Sequence, residues 1–291
     1  MQQKHFLGLT AAGFHKVAYT EWGPADDPCP VVCVHGLTRN GRDFDALAGR
    51  LAAAGRRVVC PDVVGRGRSM WLTDPAGYGY PQYCADMAAL IARLDVEAVD
   101  WVGTSMGGLI GMFLAAGLRS PIRRLVMNDI GPLIPGAFLG RLAAYVGKPV
   151  RFDTLEQGEA YLREIHAPFG TLTDAQWRHL ADHSLQHMRG GYYILGYDPK
   201  IGDAFRAQGD PQDVALWEAW ARVDAPVLAV RGARSDLLSA ETVAQMKRTH
   251  RSGRVAEFVV ADAGHAPALM DDGQIAAVEA WLAGREVGVA R

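Results

Sequence analysis

The sequence predicts an α/β protein: a mostly parallel sheet with helices on both faces, interrupted by a helical insertion. Three observations carry this reading. Short β-rich runs recur along the chain, and several are continuously apolar, as strands covered on both faces are. Helix-period patterns lie between them, which is the alternation of a parallel sheet. The rhythm then stops after Pro132 and resumes only beyond Arg222.

In chain order the strand-like runs are "HKVAYTEW", "VVCVHG", "RRVVCPDV", "AVDWVGTS", "RRLVMNDIG", "APVLAVRG" and "AEFVVADAG". Between the third and fourth, Tyr83, Met87, Leu90, Ile91 and Leu94 fall on one helical face, with Pro81 suited to the first turn. Val99–Val102 reads as a strand and Met106–Leu118 as the helix after it. The stretch between Pro132 and Arg222 is rich in aromatic and charged residues and shows no buried-strand run. In it, "TLTDAQW" has capping-box spacing from Thr173 to Gln176, ahead of a helix with Trp177 and Leu180. The expected division is a core of residues 1–132 and 223–291 and an insertion of residues 133–222.

With 291 residues, 49% of them hydrophobic, the chain can bury one large core. Its net charge of -2, with Lys and Arg spread along the chain, points away from nucleic acid and from anionic membranes. The opening "MQQKHFLGLTAAGF" lacks the apolar centre of a signal peptide, and no run approaches the roughly 20 apolar residues of a membrane span. Cys29, Cys33, Cys60 and Cys84 show no C-x-x-C spacing; Cys33 and Cys60 lie inside apolar runs as small hydrophobes. The expectation is a reduced, cytoplasmic protein.

The chemistry is concentrated in "DWVGTSMGGLIG". Ser105 stands between Gly103 and Gly107, where a strand hands over to a helix. A tight turn there lifts the serine above the sheet in a strained backbone conformation, and a Cβ at either glycine would crowd the neighbouring strand or helix. The free N–H of Met106 then lies beside the serine oxygen. A serine hydroxyl needs a base, and the base needs an orienting acid. Downstream strands deliver Asp236 in "RGARSD" and then His265 in "ADAGHAP". His265 is the expected base and Asp236 its expected acid. Asp129, in "VMNDIGP", also follows a strand and competes for the acid's place; otherwise it caps or fixes the loop into the insertion. For the oxyanion of acyl transfer, the backbone N–H groups of Leu37 and Met106 are the expected donors. His35 is expected to be a structural hydrogen-bonding residue. The glycines of "PDVVGRGRS" allow a close turn at the site's edge.

Taken together, H-G-L, D-x-x-G-x-G-x-S, G-x-S-M-G-G, the R-G-x-x-S-D loop and the A-G-H loop resemble the α/β-hydrolase superfamily over most of the chain outside the insertion. The resemblance implies a core of eight strands, a cap entered after the sixth, a covalent acyl-enzyme and no cofactor. Ser105 stands where haloalkane dehalogenases and epoxide hydrolases carry aspartate, which disfavours those activities. What remains is a hydrolase of a small carboxylic ester, thioester or lactone. The enzymatic alternatives are a carbon–carbon bond hydrolase of aromatic ring-fission products and a cofactor-free perhydrolase, which fold and triad do not separate from it. The remaining alternative is a non-catalytic ligand sensor, against which the intact Ser/Asp/His set argues.

Specificity is expected from the cap and its surroundings. Arg39, two residues beyond Leu37, is a candidate to grip a substrate carboxylate, or else to tie its loop to Asp43 or the cap. His179, His183 and His187 fall on one stripe of a predicted helix, but eight residues span about 12 Å. That is too far for one metal ion to hold all three, so the stripe is expected to be polar surface. Tyr192, Tyr193 and Tyr197 line an acyl pocket or form the cap's own core.

Overall fold

The structure, a computed structural model, describes residues 1–206 and 211–287. The strands of the core are β1 (Gln2–Thr10), β2 (Gly13–Trp22), β3 (Val31–Val34), β4 (Val58–Pro61), β5 (Val99–Thr104) and β6 (Ile122–Asn128). Helices α1 (Asp45–Ala53), α2 (Tyr80–Leu94) and α3 (Met106–Ala115) lie between them. The insertion follows: β7 (Leu133–Ile134), α4 (Gly136–Tyr145), α5 (Leu155–Ile165), α6 (Asp174–Ser184), β8 (Leu185–Met188), β9 (Tyr192–Leu195), α7 (Ile201–Arg206), β10 (Val214–Ala215) and α8 (Trp217–Trp220). The core closes with β11 (Val227–Gly232), α9 (Ala240–Thr249), β12 (Val255–Val260) and α10 (Asp272–Leu282).

Eight strands form one sheet in the order β1-β2-β4-β3-β5-β6-β11-β12. β2 runs antiparallel to both its neighbours, and every pair from β4 to β12 is parallel. The apolar runs are continuous because both faces are covered. In β3, Val32 and Val34 enter one cluster with Leu90 of α2, Ile110 of α3 and Met246 of α9. Val31 and Cys33 enter the other, with Leu47 and Leu51 of α1 and Val278 of α10. Each such side chain, fully buried, contributes about 1.5–3 kcal/mol relative to exposure. The helix pattern from Tyr83 to Leu94 is buried along α2 as its spacing requires.

β1 was not foreshadowed. Phe6 is buried beneath it, but Leu7 and Leu9 point to solvent, so its alternation is blurred. The insertion also departs from a purely helical expectation. β7 pairs with β10 and so ties its two ends together, and β8 and β9 form a hairpin. The capping box of α6 is present, with Trp177 and Leu180 buried. The predicted histidine stripe is corrected: α6 ends at Ser184, and His187 lies in β8, against the ring of Tyr193. Leu185 breaks the helix by turning extended and burying its side chain with Phe152 and Leu162.

Candidate active site

The parallel strands end together, and their carboxyl ends carry the site. Ser105 follows β5 with φ 51° and ψ -114°, a conformation that costs an L-residue about 1–3 kcal/mol. The surroundings enforce it. The Ser105 N–H donates to Asn128 O at 3.0 Å, and Gly108 N–H donates to Ser105 O at 2.9 Å. A Cβ at Gly103 would strike the Gly107 carbonyl; one at Gly107 would strike the Val34 carbonyl of β3. The elbow is therefore held by a close approach of α3 to two strands.

His265 follows β12, and its Nε2 lies 3.0 Å from Ser105 Oγ. Its Nδ1 meets Asp129 Oδ2 at 2.9 Å. This corrects the expected acid. Asp129 is fully buried and follows β6, the immediate neighbour of the serine's strand. Its N–H donates to Val230 O of β11 at 2.7 Å, and its φ of 53° turns the side chain across the strand ends. Gly232 N–H and the Ser235 hydroxyl donate to its carboxylate at 2.8 and 2.6 Å. The loop thought to supply the acid thus supplies Ser235 as a clamp on it. Asp236, one residue further, is 55% exposed and pairs with Arg141 of the cap. Because Asp129 accepts on its carboxylate, Nδ1 carries the imidazole proton, and Nε2 is left to accept from the serine. An O–H so placed can lose its proton as the oxygen attacks.

Above Ser105, the N–H groups of Leu37 and Met106 make no hydrogen bond among the described residues. His35 builds the loop that carries Leu37. Its Nδ1–H donates to Gly36 O at 2.7 Å and its Nε2 accepts from Val63 N–H at 2.9 Å. Burial lowers its pKa to about 3, so it stays neutral and structural.

Sequence reasoning overlooked Arg66. Its guanidinium is wholly buried, among carbonyls and rings. Nε donates to Leu37 O at 2.8 Å, and Nη1 donates to Val64 O and to the Tyr83 hydroxyl at 2.8 and 3.0 Å. Nη2 lies 3.7 Å from Met106 Sδ, and the cation sits 5.0 Å from the centroid of the Tyr83 ring. One signal was available: an arginine between two glycines, Gly65 and Gly67, in a loop whose other members are largely buried.

The fold and the sequence resemble those of known proteins. A family model described as the alpha/beta hydrolase fold matches residues 30–271. The chain belongs to the α/β-hydrolase family. It is 49% identical, over 95% of its length and 96% of the relative's, to a 3-hydroxybutyrate-oligomer hydrolase of Cupriavidus necator. A Rickettsia typhi structure superposes with TM-score 0.91 at 32% identity, over 98% of this chain and 100% of that one. An alpha/beta hydrolase of Novosphingobium aromaticivorans gives 0.84 at 34%, over 97% and 98%.

In this hydrolase two cavities meet at Ser105. One, of about 430 Å³, is lined by Ser105, His265 and Asp236 from the core, and by Phe138, Arg141 and His166 from the cap. The other, of about 300 Å³, is apolar, with Leu109 and Phe113 of α3 facing Ile134, Leu139 and Leu142 of the cap. The edge of the Phe138 ring packs on the His265 ring, centroids 4.8 Å apart. Tyr192, Tyr193 and Tyr197 line neither cavity. Tyr197 joins the main core, and Tyr193 packs beside Phe152 and Leu162.

Arg39 lines the larger cavity, but its fork is filled. Nε and Nη2 donate to the two oxygens of Asp43 at 2.8 and 2.7 Å, and Nη1 donates to His166 Nε2 at 3.2 Å. Burial, and then the charge of Arg39, hold His166 well below the ordinary imidazole range, so it accepts as a neutral ring. Of the two roles the sequence left open for Arg39, these contacts are those of a tie from its loop to Asp43 and the cap, with no donor group turned to a substrate carboxylate in this arrangement. A second seam joins the cap to the core at Asp45, His179 and His183, whose ligand-type atoms lie within 4.8 Å of one another. There Arg42 straddles the Asp45 carboxylate, and His179 Nε2 donates to Arg42 O at 2.9 Å. The His183 ring meets the His179 ring nearly at right angles, centroids 4.6 Å apart, so the cluster joins cap and core. No helix among the described residues is long and apolar enough to cross a membrane.

Proposed function

We propose that this hydrolase cleaves short esters of hydroxy acids, of the 3-hydroxybutyrate-oligomer class, through an acyl-enzyme on Ser105. The observation that carries the reading is the unbroken relay from Ser105 Oγ through His265 to buried Asp129, at 3.0 and 2.9 Å, on the floor of a two-lobed cavity. The similarity to the Cupriavidus necator protein over nearly all of both chains supports the substrate class.

Ser105 Oγ attacks the ester carbonyl as His265 Nε2 takes its proton. Asp129 stabilises the imidazolium and holds its tautomer. The carbonyl oxygen, now an alkoxide, receives the N–H groups of Leu37 and Met106. Arg66 is a positioning residue: it pins the Leu37 carbonyl and places positive charge behind the hole. Collapse expels the alcohol oxygen, which takes the proton from His265. A water, deprotonated by the same nitrogen, then releases the acid. The cap, assigned to residues 133–222, closes the cavity and selects the substrate.

The test is incubation of the purified chain with linear dimers and trimers of 3-hydroxybutyrate, alongside a fluorophosphonate probe. The reading expects monomer release and labelling of the wild type, both lost in Ser105→Ala. Probe labelling without oligomer cleavage would leave a serine hydrolase of different specificity. Oligomer cleavage surviving in Ser105→Ala would end the mechanism.

A further inference from the structure

The two lobes at Ser105 differ in one respect that bears on direction. His265 lines the larger cavity and not the apolar one. In ester cleavage the departing oxygen takes its proton from this imidazole, so the alcohol half of the substrate lies in the lobe that His265 faces. The acyl half is left to the apolar lobe.

The His265 lobe carries a cation at its rim. Arg141 projects from α4 three residues after Phe138, the residue whose ring packs on His265. Three residues advance a helix by about 4.5 Å, and the guanidinium is drawn over the Phe138 ring, 5.4 Å from its centroid. In a 3-hydroxy acid the carboxylate carbon lies three bonds, ~4 Å, from the hydroxyl oxygen. A leaving group of that length with its oxygen at His265 extends its carboxylate toward Arg141. The other arginine of the lobe, Arg39, is buried and already saturated by Asp43 and His166. Among the described residues the charged partner of Arg141 is Asp236, at the surface, both side chains being more than half exposed. Such exposed pairs add little to stability, so one carboxylate exchanges for another at little cost.

Resting on the hydroxy-acid ester reading above, we propose that Arg141 forms a carboxylate subsite, with Asp236 as its resting counter-ion, and that the enzyme removes units from the carboxyl end of an oligomer. In the step itself the Ser105 Oγ–carbon bond forms and the carbonyl carbon–oxygen bond breaks. His265 passes the serine's proton to the departing oxygen, which leaves as the hydroxyl of a free hydroxy acid held by Arg141. Water then supplies a hydroxyl to the carbonyl carbon and returns a proton to Ser105. A polymer interior, which has no free carboxylate near the scissile bond, does not use this contact.

One substrate pair and one labelled oligomer test it. The first is 3-butanoyloxybutanoate as free acid and as methyl ester, a simple ester that reads Arg141 whether or not oligomers are substrates. The second is a linear 3-hydroxybutyrate trimer with its carboxyl-terminal unit isotopically labelled. For the wild type the free acid is preferred over the methyl ester in kcat/KM, and the label appears first in monomer. In Arg141→Gln the acid-to-ester ratio falls about 10- to 100-fold, as loss of a charge-assisted contact predicts, with Arg141→Lys between the two. A wild type indifferent to the free carboxylate, an unchanged ratio in Arg141→Gln, or label appearing first in dimer overturns the proposal. Failure to cleave the trimer while the simple pair shows the Arg141-dependent ratio overturns the oligomer reading and leaves the subsite standing.

Discussion

The floor and the rim of the site each contain an aspartate after a parallel strand, and the two have opposite fates. Asp129 ends β6, is wholly buried, and accepts from Gly232, Ser235 and His265. Asp236 follows β11, stands more than half in solvent and pairs with Arg141. The difference comes from the sheet. β6 lies between the serine's strand and β11, so its end is within reach of His265, and its backbone is bonded to Val230 next door. The lesson is a division of labour. Groups that must not move are built into the ladder and buried, while Arg141, the proposed substrate contact, stands on a cap helix in an exposed ion pair.

The largest expected effect removes the floor. Ser105→Ala or His265→Ala should each reduce kcat by about 10⁴-fold or more, since members of one relay fail together. Far-ultraviolet circular dichroism should show the fold retained. Activity within tenfold of wild type in either variant would remove these residues from the mechanism.

The contrast between the two aspartates gives the next effect. Asp129→Asn should lower kcat on a neutral ester by about 10³- to 10⁴-fold, because an amide cannot stabilise the imidazolium. Asp236→Asn should cost far less on the same substrate. The reverse order would move the acid to β11.

Arg66 offers a smaller effect that separates positioning from packing. Arg66→Met keeps much of the side chain's volume but strands the Leu37 and Val64 carbonyls and the Tyr83 hydroxyl. Urea unfolding should show a loss of about 3 kcal/mol. If the residue also sets the hole, kcat should fall about 10- to 100-fold with KM nearly constant, and tight binding of a boronic acid should weaken in parallel. Lost stability with unchanged kcat would make Arg66 structural only.

The smallest effect is one of pH. His35 titrates at about 3 when folded, against about 6.5 in its ordinary environment. Between those values the unfolded ring binds a proton that the folded ring refuses. Its contribution is therefore intact above about pH 6.5 and is lost as pH falls, by up to about 1.4 kcal/mol per unit. Buried His166 acts in the same direction. Urea midpoints across that range should drop with acid, and His35→Asn should flatten the slope by about one proton. A slope unaltered in that variant would contradict the assignment.

Much of this was legible in the sequence, for local reasons. The elbow is written in Gly103, Ser105 and Gly107 because only glycine survives two backbone contacts so close. His265 was legible as the ring after the last strand, and β3 to β6 by their unbroken apolar runs. The acid was not, because two aspartates each follow a parallel strand, and only the lateral strand order decides between them. Arg39 looked nearer to the site than it acts. Two residues from Leu37, it turns into its own loop, where Asp43 waits four residues on. Arg141 lies far from every motif, and only the packing of α4 over His265 brings it to the rim. The histidine stripe failed because the chain turns extended at Leu185, which is buried with Phe152 and Leu162, and so carries His187 off the helix.

The central claim is that Ser105, His265 and Asp129 act as one unit on an ester. The most direct test is single-turnover acylation with p-nitrophenyl butyrate, followed by mass spectrometry of the trapped enzyme, for wild type, Asp129→Asn and Asp236→Asn. The account predicts a butyryl group on the Ser105 peptide in wild type, formed at nearly the wild-type rate in Asp236→Asn and orders of magnitude more slowly in Asp129→Asn. Acylation at any other residue, or equal rates in Asp129→Asn and wild type, would contradict it.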